Sequence, residues 1–338
     1  MERYIKTIFV LLLSLLVFAY PCSLHSLELK PFDTQNQSPF IQIYGLPSPG
    51  DAHLTPPGGK DFKVIFDLSN NALDDSAGTE KMVVDGETYR TTLVGQYGFA
   101  QGIEFGVEIP YVAHSGGFLD AFIESYHSAF GFPQGDRERV PRGRLLYQYQ
   151  RNGINQIKVD SSGSGLGDIR LTTALQLYPK LDESPTALAL RASLKLPTGE
   201  TDQLRGSGST DMAVWLTASD DHNLGSGHWT LFGAAGILGM SDGKILEDQQ
   251  RNWVEFGTIG IGWSPLTWLG LKIQMNGHTS FFKDSDLVEL NGNSAQLTIG
   301  GTFAVFKQTT IDIGVTEDVI IKTAPDVVFH IAVQNHFR

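Results

Sequence analysis

Apolar and polar residues alternate with a period of two along most of the chain beyond residue 60. In one stretch Ile103, Phe105 and Val107 share one face, while Glu104 and Glu108 share the other. Such alternation predicts β-strands whose two faces meet different surroundings, and carboxylates on one face suit a wet interior better than lipid. We count about 12 such strands, an even number as in bacterial single-chain barrels. They span residues 61–70, 83–99, 103–114, 167–179, 186–197, 209–219, 227–239, 252–264, 268–282, 294–306, 309–317 and 326–337.

Short and long connections alternate strictly between these strands. This alternation is typical of membrane barrels with short periplasmic turns and longer outer loops, and a soluble β-sandwich has no reason to keep it. Trp263 and Trp268 flank one short turn, as in an interfacial aromatic girdle, although core aromatics of a sandwich remain the alternative. The sequence therefore predicts an all-β, transmembrane, antiparallel up-and-down barrel with both termini periplasmic. Short turns are expected near 100–102, 180–184, 220–225, 264–267 and 306–308; long links are expected at 69–82, 115–165, 198–208, 240–251, 283–293 and 318–325.

The first residues have the features of a secretory signal. Arg3 and Lys6 precede an apolar run over 8–19, which is too short for a typical spanning helix. We expect cleavage between Ala19 and Ser26. Cys22 raises lipidation as a secondary interpretation, because the residues before it lack the usual pattern. The predicted organisation is a signal peptide at 1–26, a periplasmic N-terminal segment at 27–60 and an outer-membrane barrel at 61–338.

Composition narrows the class of protein. Charged residues make up 18% of the 338 residues and the net charge is -12, so a nucleic-acid partner is not expected. The single cysteine provides no disulfide framework. Beyond the signal no long apolar run exists, which excludes a helical membrane protein. We therefore expect an exported protein located in the bacterial outer membrane.

The one long insertion, 115–165, is predicted to contain a helix. Its apolar stripe comprises Phe118, Phe122, Ile123 and Tyr126, at helical spacing, and Gly131 can end the helix. We hypothesise that the insertion folds over or into the lumen and restricts passage, because an apolar stripe must be covered. A neighbouring stripe could ligate a metal, but the main interpretation is a polar face bonded to lumen residues, with no metal and no cofactor. The members of that stripe are Asp120, Glu124 and His127.

Basic residues follow this helix. The main interpretation is that they pair with lumen acids such as Glu104 and Glu108; the alternative is that they select anions or bind lipopolysaccharide phosphate. Inward basic residues of the strands could pair with the acids of the helix. The basic residues after the helix are Arg137, Arg139, Arg142 and Arg144, and those of the strands are Arg170, Arg191 and Lys195.

Several stretches resemble the proteobacterial family catalogued as domain of unknown function 3187. They are Pro31-Phe-Asp-Thr-Gln-Asn-Gln-Ser-Pro39 with Gly45-Leu-Pro47, the segment 118–133, and the segment 300–318. Leu194-Lys-Leu-Pro-Thr-Gly199 also resembles a motif of barrels linked to uptake of phenol-like compounds. The resemblance implies a barrel and brings no ligand with it. The final strand is amphipathic and ends on the aromatic Phe337, followed by Arg338, which resembles the signal read by the barrel-assembly machinery.

Three functions remain open from the sequence. The first is a passive channel or transporter for small, partly apolar solutes, because the predicted lumen face is polar and charged. The second is a non-conducting structural or surface-interaction barrel. The third is a lipid-acting barrel enzyme, although no Gly-x-Ser-x-Gly elbow occurs in a strand-to-helix setting. The glycine-rich 163–167 lacks the Lys-Ser/Thr of a phosphate loop and is interpreted as a strand entry. Outer-membrane lipid and lipopolysaccharide are the expected surroundings.

Overall fold

A computed structural model describes residues 27–130, 140–179, 184–224, 227–320 and 322–337. One sheet of 15 antiparallel strands contains a closed barrel of 12 strands. The first strand pairs with the last and so closes the wall; the paired residues run from Lys60 with Phe337 to Asn70 with Val327. The barrel strands are β1 (Lys60–Ala77), β2 (Glu80–Ala100), β3 (Ile103–Ser115), β7 (Arg170–Tyr178), β8 (Thr186–Lys195), β9 (Asp211–Leu224), β10 (Gly227–Met240), β11 (Trp253–Leu266), β12 (Leu269–His278), β13 (Ser294–Phe306), β14 (Thr309–Asp318) and β15 (Val327–Phe337).

The 115–165 insertion forms more structure than the predicted helix. The helix α1 (Asp120–Phe130) is confirmed, and three strands follow it: β4 (Leu146–Arg151), β5 (Ile154–Val159) and β6 (Gly163–Leu166). Strand β4 pairs with β2 beyond the point where β3 leaves it, so the β4–β5 hairpin extends the wall. Thr201–Gln203 forms a 3-10 turn, and α2 (Val288–Asn291) is a single short turn of helix. Among the described residues no helix is long and apolar enough to cross a membrane.

The β1–β2 hairpin is longer than predicted. Its register runs without a shift up to the pair Ala77 and Glu80, where the sequence analysis placed a link over 69–82. The missed part contains Asn71, Asp74 and Asp75, which interrupt the apolar alternation. A strand that projects beyond the lipid needs no apolar face, so periodicity cannot detect it.

The two faces of the wall differ as predicted. Large apolar side chains are exposed on the outside and polar or charged side chains are buried on the inside, the reverse of a soluble protein. Exposed outward residues include Phe62, Leu93, Phe105, Leu171, Leu231, Ile273, Ile299 and Ile331; buried inward residues include Arg90, Glu104, Arg191, Lys195, Gln274, Thr298 and His330.

Residues 27–59, here called the N-terminal segment, lie inside the barrel. Its ascending arm (27–37) begins with Leu29 against Gly262 and Gly270 near the short-turn end and reaches Asn36, which bonds His278 at 2.9 Å. An apex (38–46) lies at the long-loop end. The descending arm (47–59) returns to Gly58, whose N–H donates to the Gly98 carbonyl at 2.7 Å.

The expectation of a separate periplasmic segment at 27–60 is therefore wrong about position. The buried polar side chains of the inner wall need hydrogen-bond partners, and the backbone of the N-terminal segment supplies them. Phe32 N–H, for example, donates to Gln274 Oε1 at 2.8 Å. A segment without period-2 alternation gave no signal of this placement.

Candidate functional site

Five buried cations of the inner wall donate to backbone carbonyls of the N-terminal segment. Each strand that carries one presents it at an inward position, so the contacts converge on the segment from several sides. Charge-assisted hydrogen bonds of this kind are stronger than neutral ones. The bonds are Arg90 to Gln42 (3.1 Å), Arg170 to Leu46 (2.9 Å), Arg191 to Asp51 (3.0 Å), Lys195 to Ile43 (3.1 Å) and Lys272 to Lys30 (2.9 Å).

Four of these cations also form ion pairs with inward carboxylates. The paired charges satisfy each other in a poorly hydrated interior, where an unpaired charge is costly. Four of the predicted lumen residues thus pair with one another, Arg170 with Glu108 and Arg191 with Glu104. Lys195 pairs instead with two carboxylates that were not predicted as site residues. The pairs are Arg170–Glu108 (2.9 Å), Arg191–Glu104 (3.2 Å), Lys195–Asp168 (2.6 Å), Lys195–Asp211 (3.2 Å) and Lys272–Asp312 (2.8 Å).

Helix α1 lies against the outside of the barrel. Asn70 Nδ2 donates to Asp120 Oδ1 at 3.2 Å, and Asn70 has the outward parity of Phe62 on β1. The ring of Phe122 lies 6.3 Å from that of the outward Phe329 on β15. Phe118 and Phe122 are 72% and 57% exposed. The hypothesis that α1 restricts the lumen is therefore wrong for these two side chains.

The outward Glu87 of β2 anchors the start of α1. Its carboxylate accepts the N–H groups of Phe118 at 2.9 Å and Leu119 at 2.7 Å. Two glycines make this approach possible: a Cβ on Gly117 would lie 2.0 Å from Glu87 Cδ, and one on Gly116 would lie 2.0 Å from the Gly143 carbonyl oxygen. The polar anchor explains why the helix settles on the wall instead of entering it.

The two described members of the basic cluster, Arg142 and Arg144, bind partners outside the lumen. Arg142 binds Glu124 on α1, and Arg144 Nε donates to the outward Asp85 at 2.5 Å. Gly143 N–H donates to Asp120 Oδ2 at 2.8 Å. The Asp120 and Glu124 carboxylates of that face thus have local partners. Arg137 and Arg139 lie outside the described residues, as do the side chains of Tyr126 and His127.

These bonds also bear on the proposed metal ligands. The carboxylates of Asp120 and Glu124 are already engaged by backbone N–H and guanidinium groups. Elsewhere in the described chain, Glu28, Asp51 and His53 bring one ligand atom each within 4.8 Å of one another. Lys30 Nζ lies 2.7 Å from Asp51 Oδ2 and competes for that carboxylate. We assign no metal to either group.

The lumen is capped at the long-loop end by an apolar cluster. Tyr44 of the apex stacks on Phe281 with ring centroids 5.1 Å apart and meets Phe282 edge-on at 5.9 Å. Tyr147 and Tyr149 of β4 are fully buried in the same cluster. The insertion does cover the lumen, as expected, but through β4 rather than α1.

Below this cap lies a polar cavity between the N-terminal segment and the wall. The space in it that is open to the centres of water-sized molecules has a volume of about 60 Å³. It extends from Asp61 and Gln96, near the short-turn end, to Arg90 and Glu108 at mid-barrel, and Trp215 closes one side. That volume holds a few water molecules or one small polar group.

Sequence reasoning missed Arg90, Trp215 and Lys272. Arg90 and Lys272 lie at inward positions of correctly predicted strands, so strand parity could have identified both. Trp215 Nε1 donates to the Pro49 carbonyl at 2.9 Å, a contact with the N-terminal segment that no sequence pattern indicates.

The fold resembles solved outer-membrane proteins. The COG4313 outer membrane channel from Pseudomonas putida F1 superposes with a TM-score of 0.54 at 13% identity, covering 86% of this chain and 99% of that one. The toluene transporter TbuX of Ralstonia pickettii gives a TM-score of 0.38 at 12% identity, covering 92% and 96%. No curated protein sequence matches. The model of the family described as "Protein of unknown function (DUF3187)" matches residues 7–337, and the chain belongs to that family.

Proposed function

We propose that this protein is an outer-membrane channel for small solutes that is closed by its own N-terminal segment. The observation that carries the proposal is the set of five buried cations bonded to that segment's backbone inside a closed wall. These bonds are polar and exchangeable with water or with a polar solute. They suit a segment that moves aside better than one that is part of a permanent apolar core.

The outer face supports a location in the outer membrane. The exposed apolar belt of the wall would be costly in water and is favourable in lipid. Helix α1 lies at the upper edge of this belt, where the exposed Phe118 and Phe122 can contact acyl chains and Arg142 can meet lipopolysaccharide phosphate. Strand β15, which ends at Phe337, is the segment that the barrel-assembly machinery would bind.

The route through the barrel suggests the class of solute. A solute entering from the long-loop end meets the aromatic cap around Tyr44 and Phe281 and then the polar cavity below it. A small molecule with one apolar and one polar part would be compatible with both.

The filled lumen also favours a second candidate, a non-conducting barrel with a structural or surface role. In that case the N-terminal segment would be a permanent part of the fold. A lipid-acting enzyme is less well supported, because the Ser207 and Ser209 hydroxyls are buried inside the barrel beside Lys195 and not at the membrane edge.

A reversible tether distinguishes the two candidates. A Cβ on Gly262 would lie 3.3 Å from Leu29 Cβ, a few tenths of an ångström short of a disulfide's usual separation. We would introduce Leu29→Cys and Gly262→Cys together in a Cys22→Ser background and record planar-bilayer conductance and liposome swelling. Each single cysteine variant is the control for the pair.

The channel proposal expects openings in the reduced pair and in both controls, and their loss on oxidation. Reduction should restore the openings. If oxidation leaves the conductance unchanged, the N-terminal segment is not the gate. If the reduced pair and the controls never conduct, while a variant lacking 27–59 conducts permanently, the protein is a non-conducting barrel.

A further inference from the structure

One cation of the polar cavity stands apart from the others. Five lysine and arginine side chains line it, and within the described chain Arg90 is the one among them without a carboxylate at ion-pair distance. The side chain is 7% exposed. Its Nη1 donates to the Gln42 carbonyl at 3.1 Å, and its Nε has no partner. The ion pairs of the other four are Lys30–Asp51, Lys63–Asp33, Arg170–Glu108 and Arg191–Glu104.

A second guanidinium of the cavity has spare donor capacity. Arg170 is 4% exposed, and its two terminal nitrogens bind Glu108 and the Leu46 carbonyl, while its Nε is buried without a partner. Arg90 and Arg170 are close enough to repel each other. The charges of Asp67, Glu108 and Asp168 offset part of this repulsion, but the Asp67 oxygens accept from His330 and Gln37, and among the described residues none of the three carboxylates is at ion-pair distance from Arg90.

A buried, unpaired guanidinium beside a second one is costly unless an anion or water compensates it. A carboxylate fits this need, since the planar fork of an arginine matches its two oxygens. We propose that Arg90 and Arg170 form a binding site for the carboxylate group of a small solute in the polar cavity.

This site rests on the proposed channel function, because its ligand would be the transported solute. It also links binding to opening. The same guanidinium groups hold the Gln42 and Leu46 carbonyls at the apex of the N-terminal segment. A carboxylate that takes over these donors weakens two of the bonds that keep the apex in place.

The test is a binding titration of the full barrel in detergent. The probes are acetate and benzoate, with acetamide and benzamide as neutral controls and inorganic phosphate as a competing oxyanion. Binding is measured calorimetrically at fixed ionic strength, so that screening is constant. The matched variants are Arg90→Gln, which removes the unpaired cation, and Lys63→Gln, which removes an equal charge from the same cavity but from an existing ion pair.

The proposal expects one saturable site for the carboxylates, none for the amides, and an affinity that Arg90→Gln lowers about tenfold or more. Lys63→Gln should change it by less than about threefold, and Arg90→Lys should restore it only in part, since an ammonium lacks the fork. Equal losses in Arg90→Gln and Lys63→Gln would mean general electrostatic attraction and would overturn the site. So would preference for phosphate over carboxylate, or the absence of binding to the native barrel. The tether experiment does not depend on these outcomes, so the channel can stand if the site fails.

Discussion

Lys30 Nζ lies 2.7 Å from Asp51 Oδ2, and this ion pair joins the ascending and descending arms of the N-terminal segment. Both side chains are partly buried, at 25% and 18% exposure, near the short-turn end. The pair therefore holds together a hairpin that has no β-ladder of its own. Its position on the expected periplasmic side makes it the natural place to loosen the segment without touching the cap.

Breaking this pair should loosen the arms. Lys30→Gln and Asp51→Asn should each make residues 27–59 more susceptible to protease. The double variant should lose less free energy of unfolding than the two single variants lose together. We expect a coupling free energy of about 1 kcal/mol in a double-mutant cycle of thermal unfolding. Strict additivity would show that the two charges do not interact.

The descending arm should be sensitive to a single methyl group on the wall. A Cβ on Gly98 would lie 2.0 Å from the Pro56 carbonyl oxygen, whereas one on Gly95 of the same strand would meet only Val107, at 3.8 Å. Gly98→Ala should lower the free energy of unfolding by about 1–3 kcal/mol and release the arm to protease. Gly95→Ala is the matched control and should behave as the native protein; a similar loss there would contradict the assigned close approach.

The assignment of side chains to the lipid side or the lumen side of the wall can be tested on one strand. Leu93 of β2 is exposed on the lipid side, and Gln96 lines the cavity, where its amide donates to Glu104 at 3.1 Å. Leu93→Arg should cost about 2–4 kcal/mol in lipid if it lies near the bilayer midplane, while Gln96→Arg gains a carboxylate partner and should cost far less. The free energy of unfolding in lipid vesicles is measured for both variants. Equal losses would refute the assignment of Leu93 to the lipid side and Gln96 to the lumen side.

Packing between loops should depend on pH through Glu289 of α2. Burial, reinforced by Asp75 of β1, raises the pKa of the Glu289 carboxyl to about 7, and Lys322 lies 3.8 Å away. Because the folded state binds this proton more tightly than the unfolded state, stability is greatest below pH 4.5 and falls as the pH rises to about 7. The loss is up to about 3 kcal/mol.

Thermal unfolding at pH 4.5 to 8 is the measurement for this group. Glu289→Gln should make the profile shallower in that window, and Glu247→Gln, on an exposed loop carboxylate, should leave it unchanged. A native profile that rises with pH would reverse the sign and refute the assignment.

The orientation of the barrel predicts which loops are accessible on intact cells. Asp248 and Asp286 are exposed at the long-loop end, and Gln308 is exposed in a short turn. In a Cys22→Ser background, cysteines at the first two positions should react with an impermeant maleimide, and one at Gln308 should not. The opposite labelling would place the long loops in the periplasm. Asp182, in the short turn predicted at 180–184, lies outside the described residues.

The alternation of apolar and polar residues along the chain is enough to predict the barrel wall. Successive residues of a strand face opposite sides of the sheet, whichever strands pair with it. Leu93 and Gln96 therefore lie on opposite faces of β2 because one position is odd and the other even. Twelve strands, their order and the lengths of the connections could be predicted for this reason, except at the first connection, where β1 ends at Ala77 and β2 begins at Glu80. So could the inward charges Glu104, Glu108, Arg170, Arg191 and Lys195, although not their partners.

What fills and surrounds that wall depends on contacts between segments that are distant in sequence. The N-terminal segment binds through its backbone carbonyls, which every residue possesses, so the sequence of 27–59 gives no sign that Gln42 and Leu46 meet arginines. Helix α1 was predicted correctly, but its apolar stripe indicates only that the helix packs against another surface and does not indicate which one. Glu87, one outward carboxylate on a strand distant in sequence, places it outside the barrel, because contacts between distant segments depend on closure of the wall.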